Sequence, residues 1–445
     1  MFTVKFSAKA LVEHLNAELH GPPVDVDGVS IDSRTVVANE LFVAVIAERD
    51  GHDFIDAAVQ AGAAAFITSA SDPKARGSAS ALAVADTMEA LGQIGAMARA
   101  RLDGPVIAIT GSVGKTSTKD LTLAACGTVR RTHASERSFN NELGVPLTLA
   151  NAPADTEVVI TEMGARGFGH IEALCATARP TIGVVTTVAL AHSELFGSLE
   201  GVARAKGELV EALPRHGVAV LNADDPMVMA MAERTSAEIL TFGLKSGDVR
   251  AANIELDDLL RPSFTMITPN GMFPVDLPIM GTHMALNAAG AVAAAIAAGI
   301  DASDAVAGLT GAELSPWRME VVRAPNGLIV INDAYNANPT SMRAALNALA
   351  QVQASDRVAV VGTMAELGEE GKDEHLAVAA EAAELGIRLI AVDAPDYGDQ
   401  AVHVLGRDEA RSVLGDIGEG IAVLVKGSRV AGLEAVAAEL LAASS

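Results

Sequence analysis

Ile109-Thr110-Gly111-Ser112-Val113-Gly114-Lys115-Thr116 is the stretch around which the rest of the chain is organised. An apolar strand pattern over 105–110 enters it, two glycines permit a tight turn, and a helical pattern over 116–125 leaves it. A strand that turns directly into a helix aims free backbone N–H groups and the positive end of the helix dipole at one spot, which suits a phosphate. In such a loop Gly111, Ser112, Gly114 and Ser117 shape the cradle, Lys115 reaches the β- and γ-phosphates, and the Thr116 hydroxyl holds Mg²⁺. The common phosphate loop has a further glycine where Ile109 stands, so this is the shorter Thr-Gly-x-x-Gly-Lys-Thr form. An ordinary glycine turn is the alternative; the strand–turn–helix setting favours phosphate binding.

Outward from this loop the chain runs to 445 residues, which at roughly 150 residues per domain suggests three. The succession of strand and helix patterns divides it into 1–103, 104–315 and 316–445. The first block alternates short strands and helices and ends at Asp103-Gly104-Pro105. The second holds near-continuous apolar runs over 158–163 and 182–188, the mark of strands buried on both faces of a parallel sheet. Within it, 250–277 reads as a small antiparallel insert. The third block alternates strands at 328–331, 358–361, 389–392 and 421–425 with helices, a Rossmann-like α/β pattern.

Lys plus Arg is 32 against 56 Asp plus Glu, a formal charge of −24. That balance argues against an extended nucleic-acid surface but leaves room for a nucleotide in a local pocket. Cys126 and Cys175 share no metal spacing and read as reduced thiols of a cytoplasmic protein. The N-terminus lacks a signal-peptide pattern. The longest uncharged stretch, 277–300, contains His283 and Asn287 and is otherwise largely Ala and Gly, so a soluble helix fits better than a membrane span.

Other residues fall where a ligand crevice belongs. Glu162 ends an apolar strand, and a carboxylate at the C-terminal edge of a parallel strand faces the crevice and can bind Mg²⁺. His192 follows the 182–188 run at the same edge. Lys206, on a helix from about 199, reads by default as a solvated lysine. Asp333, in Asn332-Asp333-Ala334-Tyr335-Asn336-Ala337-Asn338-Pro339, sits at a strand end where an acid can take ribose hydroxyls; turn formation is the competing explanation.

Taken in order, Thr110-Gly111-x-x-Gly114-Lys115-Thr116, Glu162-Met163-Gly164-Ala165, Ala191-His192-x-Glu194-x-Phe196-Gly197-Ser198, Ala203-Arg204-Ala205-Lys206-Gly207-Glu208 and Asp333–Pro339 resemble the Mur ligases, ATP-dependent amide-bond formers of peptidoglycan precursor synthesis. Asn140-Asn141-Glu142-Leu143-Gly144-Val145-Pro146 and Tyr335-Asn336-Ala337-Asn338-Pro339 resemble the branch that joins D-alanyl-D-alanine to UDP-N-acetylmuramoyl-tripeptide.

The resemblance implies a three-domain α/β ligase, monomeric, with a central ATP-binding domain between a UDP-substrate-binding domain and a Rossmann-like one. It implies that Ser33, Arg34, Asp50, Gly51 and His52 meet the uridine nucleotide and that Asn140 and Asn141 face its sugar–phosphate portion. Lys115 would bind ATP phosphates, with Thr116 and Glu162 on one Mg²⁺. His192 and a carbamate on Lys206 would hold a second. Asn287 would contact adenine, while Arg318, Asp333, Tyr335 and Asn336 close over the nucleotide. The chain departs from the pattern at Met284, where the family usually has Asn, and at Thr363, where this branch often has Asp. Two rivals are a related Mur or folylpolyglutamate-type ligase of other acceptor specificity, and a P-loop NTPase switch.

Overall fold

The structure is a computed structural model and describes residues 5–47, 49–136, 138–189, 196–365, 367–415 and 417–443. Its centre is the strand Val106–Thr110, all five residues buried, with Val158–Glu162 parallel on one side and Ile182–Val185 parallel on the other. A strand covered on both faces favours apolar, mostly β-branched side chains, which is why these runs lack polar alternation. Thr132–Ala134 closes one edge; Val218–Asn222 and Glu238–Gly243 extend the other, all in parallel. The chain leaves Val106–Thr110 toward one edge and later returns to its opposite side, so the crevice at the carboxyl ends lies at a switch in strand order.

The 250–277 region is antiparallel, as its sequence pattern implies. Pro262–Thr268 pairs antiparallel with both Val249–Leu256 and Gly271–Asp276, and Val249–Leu256 pairs in parallel with Glu238–Gly243. These three strands therefore continue the central sheet to nine strands. Their inward residues Ala251, Phe264, Met266 and Val275 join the core covered by the helix His283–Ala297. Burial all round explains that helix's Ala-rich composition, and no described helix is long and apolar enough to cross a membrane.

The phosphate-loop helix Lys115–Gly127 packs between His283–Ala297 and Ala302–Leu309. A Cβ at Gly308 would stand 2.3 Å from the Ala124 carbonyl oxygen and 3.0 Å from Ala125 Cα. Both obstacles are backbone, so relief means moving a helix. Gly308→Ala should destabilise the chain by about 1–3 kcal/mol, seen as a lower melting temperature; an unchanged melt would show that the two helices separate freely.

Two smaller α/β sheets flank this domain. The first orders its strands Glu18–His20, Ser80–Ala83, Ala65–Thr68, Leu41–Val43, Val29–Ser30. The third domain orders Glu320–Arg323, Ile329–Asp333, Ile421–Lys426, Asp356–Val361, Arg388–Val392, Ala401–Val404, with only the first antiparallel. Its two edge strands are largely exposed, and that weakens their sequence pattern.

Candidate active site

The loop is shaped by its two glycines, at φ +151° and +83°. A Cβ on Gly111 would lie 1.9 Å from Thr186 Oγ1, and one on Gly114 2.7 Å from Asn287 Oδ1. The adjoining strand end latches the loop: Thr186 donates its hydroxyl to the Val113 carbonyl at 2.6 Å, and the Ser112 hydroxyl donates to the Ala189 carbonyl at 2.9 Å. Lys115 Nζ donates to the Gly111 carbonyl at 2.7 Å. Burial pulls its ammonium below the usual lysine range; Glu162 opposes that shift and Arg318 adds to it.

The sheet edge brings Thr116 and Glu162 together. Thr116 donates its hydroxyl to Glu162 Oε2 at 2.6 Å, while Asn140 Nδ2 donates to Oε1 at 2.8 Å. Glu162 is 1% exposed. Ser138, unremarked in the sequence, stands 3.1 Å from the Thr116 hydroxyl and accepts from Arg318 Nη2 at 2.9 Å. A hydroxyl and a carboxylate side by side at a phosphate loop are hard oxygen ligands of the kind Mg²⁺ takes, so Thr116 and Glu162 fit the ion.

Arg318 stacks on Tyr335, 4.2 Å from its ring centre, and carries the third domain to the loop. Both line a cavity of about 340 Å³ with Lys115, Asn287, Asp333 and Asn336. Asp333 is tied to Lys426 and accepts from the Met319 N–H at 3.1 Å. Lys426, 2% exposed, also donates to the Asn336 carbonyl at 2.8 Å and so pins the Asp333–Asn338 turn. At the adenine end, Met284 is buried and its sulfur lies 3.6 Å from Asn287 Nδ2. His283 beside it is pushed below the usual histidine range by burial, against Asp333 and with Lys426.

Lys206 is not the solvated lysine of the default reading. On the helix Leu199–Glu211 it is 6% exposed, on the stripe of Val202, Ala205, Leu209 and Val210. A lysine at that point of the helical period was the available signal. Burial, and then the Lys115 ammonium, push it well below the ordinary lysine range. An amine without its proton is what carbamate formation requires, and only the carbamate would offer oxygens to a metal. Its neighbours have structural duties. Arg234 lies against Gly207 and donates to the Ala203 and Arg204 carbonyls at 3.2 and 2.9 Å. Glu208 accepts from the N–H groups of Gly169, Ile171 and Glu172, capping the helix His170–Ala178.

Lys206 lines a second cavity, about 890 Å³, with Lys115, Asn140, Asn141, Arg166 and Arg429. His192 falls at 190–195, outside the described residues.

Ser33, Arg34, Asp50, Gly51 and His52 line neither cavity. Arg34 pairs with Asp32 at 2.6 Å and holds its carboxyl down at about 2. Asp32 and Thr35 flank them and line a third cavity of about 330 Å³ that reaches His133 and Asn151 of the central domain. His52 Nε2 accepts from the Ser69 N–H at 3.0 Å, which leaves Nδ1–H to donate to Asp50 at 2.6 Å. A Cβ at Gly51 would meet the Val45 carbonyl oxygen at 2.5 Å.

Known proteins share this fold across nearly the whole chain. Residues 25–99 match the Mur ligase family catalytic domain, 109–295 the Mur ligase middle domain and 317–429 the Mur ligase glutamate ligase domain. The chain belongs to the Mur ligase family. It is 39% identical to the UDP-N-acetylmuramoyl-tripeptide--D-alanyl-D-alanine ligase of Mycobacterium tuberculosis, across 93% of this chain and 92% of that one. Among solved structures, MurF from Acinetobacter baumannii superposes with a TM-score of 0.88 at 30% identity, covering 99% of this chain and 100% of that one. MurF ligase from Thermotoga maritima in complex with ADP gives 0.80 at 26% identity, covering 94% and 97%.

Proposed function

We propose that the chain is an ATP-dependent ligase that joins D-alanyl-D-alanine to UDP-N-acetylmuramoyl-tripeptide in the cytoplasm, giving the UDP-linked pentapeptide precursor of peptidoglycan. The observation that carries this reading is the near-full-length likeness to a relative bearing that name. The ADP of the Thermotoga neighbour supports ATP as the nucleotide. On this reading 1–103 takes the UDP end of the substrate, 104–315 binds ATP and 316–445 covers it.

ATP enters the cavity of about 340 Å³ with its phosphates on the loop, where Lys115 and the backbone N–H groups of 111–116 hold them. Asn287 meets the adenine, and Arg318, Tyr335 and Asn336 cover the nucleotide from the third domain. Asp333, engaged by Lys426, keeps the covering turn in place. Ser33, Arg34 and the Asp50-Gly51-His52 turn take the uridine end, and Asn140 and Asn141 the sugar–phosphate portion.

The tripeptide carboxylate then attacks the γ-phosphorus, the β–γ P–O bond breaks, and ADP departs. The neutral amine of D-alanyl-D-alanine adds to the acyl phosphate, loses its proton, and the C–O bond to phosphate breaks to leave the amide. Two Mg²⁺ ions, one held by Thr116 and Glu162 and one by His192 and a Lys206 carbamate, would supply charge neutralisation between carboxylate and triphosphate. Lys115 and Arg318 add fixed positive charge where the phosphoryl group moves, so that positioning and preorganised charge supply most of the catalysis.

Mass spectrometry of a reaction with ATP, UDP-N-acetylmuramoyl-tripeptide and D-alanyl-D-alanine should show the pentapeptide mass and one ADP per amide. Amide formation with a different amine, or ADP without any amide, would replace this reading by a ligase of other specificity or by an NTPase.

A further inference from the structure

The phosphate-loop helix carries, one turn beyond Thr116, a buried ion pair that the reaction as described does not use. Lys119 and Asp120 are 2% and 6% exposed, with Lys119 Nζ 3.0 Å from Asp120 Oδ1. Burying two charges is costly unless each keeps further hydrogen bonds. Asp120 turns both oxygens on one residue: Ser315 donates its N–H to Oδ2 at 2.7 Å and its hydroxyl to Oδ1 at 3.1 Å. Lys119 donates to the Ser135 carbonyl at 2.8 Å and to Ser315 Oγ at 3.4 Å. The Ser135 hydroxyl accepts from the Glu162 N–H at 3.3 Å. One pair thus ties together the loop helix, the segment that leads to Ser138, and the linker into the third domain.

Past Ser315 that linker passes through Trp317 and Met319, both left-handed at φ +63° and +47°. Bulky residues rarely adopt this backbone, and it persists only where the surroundings hold it. Here both sides are held. Asp120 grips Ser315, and Asp333 accepts the Met319 N–H. Between them, Trp317 accepts from the Tyr335 N–H at 3.1 Å and lies under Arg429, while Arg318 reaches Ser138.

We propose that Asp120, supported by Lys119, is a positioning residue: it anchors Ser315 so that the linker delivers Arg318 and Tyr335 in register with the phosphate loop. It touches no substrate itself. The inference rests on the ligase reading for its catalytic consequence, while the anchor follows from the geometry alone.

The chain has one tryptophan, Trp317, two residues from the anchor, so its emission reports the linker directly. In the full-length chain, Asp120→Asn should shift the Trp317 emission maximum and lower kcat at least tenfold, with KM for the UDP-tripeptide within threefold. Ser315→Ala keeps the peptide N–H and leaves the ion pair intact; it should give a smaller shift in the same direction and a two- to fivefold loss of kcat. Parent-like emission and kcat in both variants overturn the proposal. So does a loss of kcat confined to Asp120→Asn with parent-like emission, because loosening of the helix alone would produce that. If Asp120→Asn does not fold, Ser315→Ala decides by the same two readouts. If the parent chain forms no amide, the ligase reading fails and the emission of the variants still decides the anchor.

Discussion

Glu162→Ala should leave a folded chain whose turnover is lower by about three orders of magnitude, several kcal/mol of charge stabilisation. The buried carboxylate receives the Thr116 hydroxyl on one oxygen and the Asn140 amide on the other. Its removal takes away an oxygen ligand and leaves two donors without their acceptor. It also removes a charge that counters the burial of Lys115, so that lysine moves further below its ordinary range. Glu162→Gln separates the contributions: it fills the same space without the charge, and should recover the melting temperature of the parent but little of its rate. Thr116→Val should fall in the same direction. A Glu162→Ala chain with near-parental kcat would remove the metal role, and the Thr116–Glu162 bond would then be only a structural latch.

Lys206→Ala should bind nucleotide through the intact phosphate loop and form no amide. A carbamate forms from the free amine and CO₂ with release of one proton, and the lowered basicity of Lys206 favours that amine. Acetate or formate should restore part of the rate by returning a carboxylate to the vacated space. A Lys206→Ala chain that keeps most of its turnover in CO₂-depleted buffer would return Lys206 to a packing role.

Stability gives a second readout. In CO₂-depleted buffer the unfolded chain holds one more proton at this position than the folded chain, between the lowered folded value and the ordinary value of about 10.4. Stability therefore rises with pH across that window, and the penalty is complete below the folded value. Lys206→Met, which fills the space without a charge, should melt above the parent at neutral pH, and the advantage should shrink as pH approaches about 10.4.

The parts legible in the sequence are those that local chemistry writes into consecutive residues. The loop at 109–116 announces itself because a phosphate cradle needs its glycines, lysine and threonine at fixed spacing on one turn. The flanking strands announce themselves because burial on both faces favours near-continuous apolar side chains. Glu162 was legible from its place at a strand end. The edge strands Glu320–Arg323 and Ala401–Val404 were not, since exposure removes their pattern. The hairpin at 249–276 could be read as antiparallel, but not as part of the central sheet, because its attachment rests on two residue pairs, Phe242 with Val249 and Gly243 with Arg250.

The rest was settled by residues far apart in the chain. Ser138 gained its place only when Thr116 and Arg318 converged on it, 22 and 180 residues away. Asp333, open to ribose in the sequence, is engaged by Lys426 across 93 residues. Lys206 shows the division within one residue. Its position on the apolar stripe of its helix was present in the sequence, but its depressed basicity was not. That depends on what packs over it and on the Lys115 ammonium from another element. Spacing along a chain encodes groups that must act within one turn of backbone; the dielectric and the neighbouring charges around a side chain arise only when distant segments close over it.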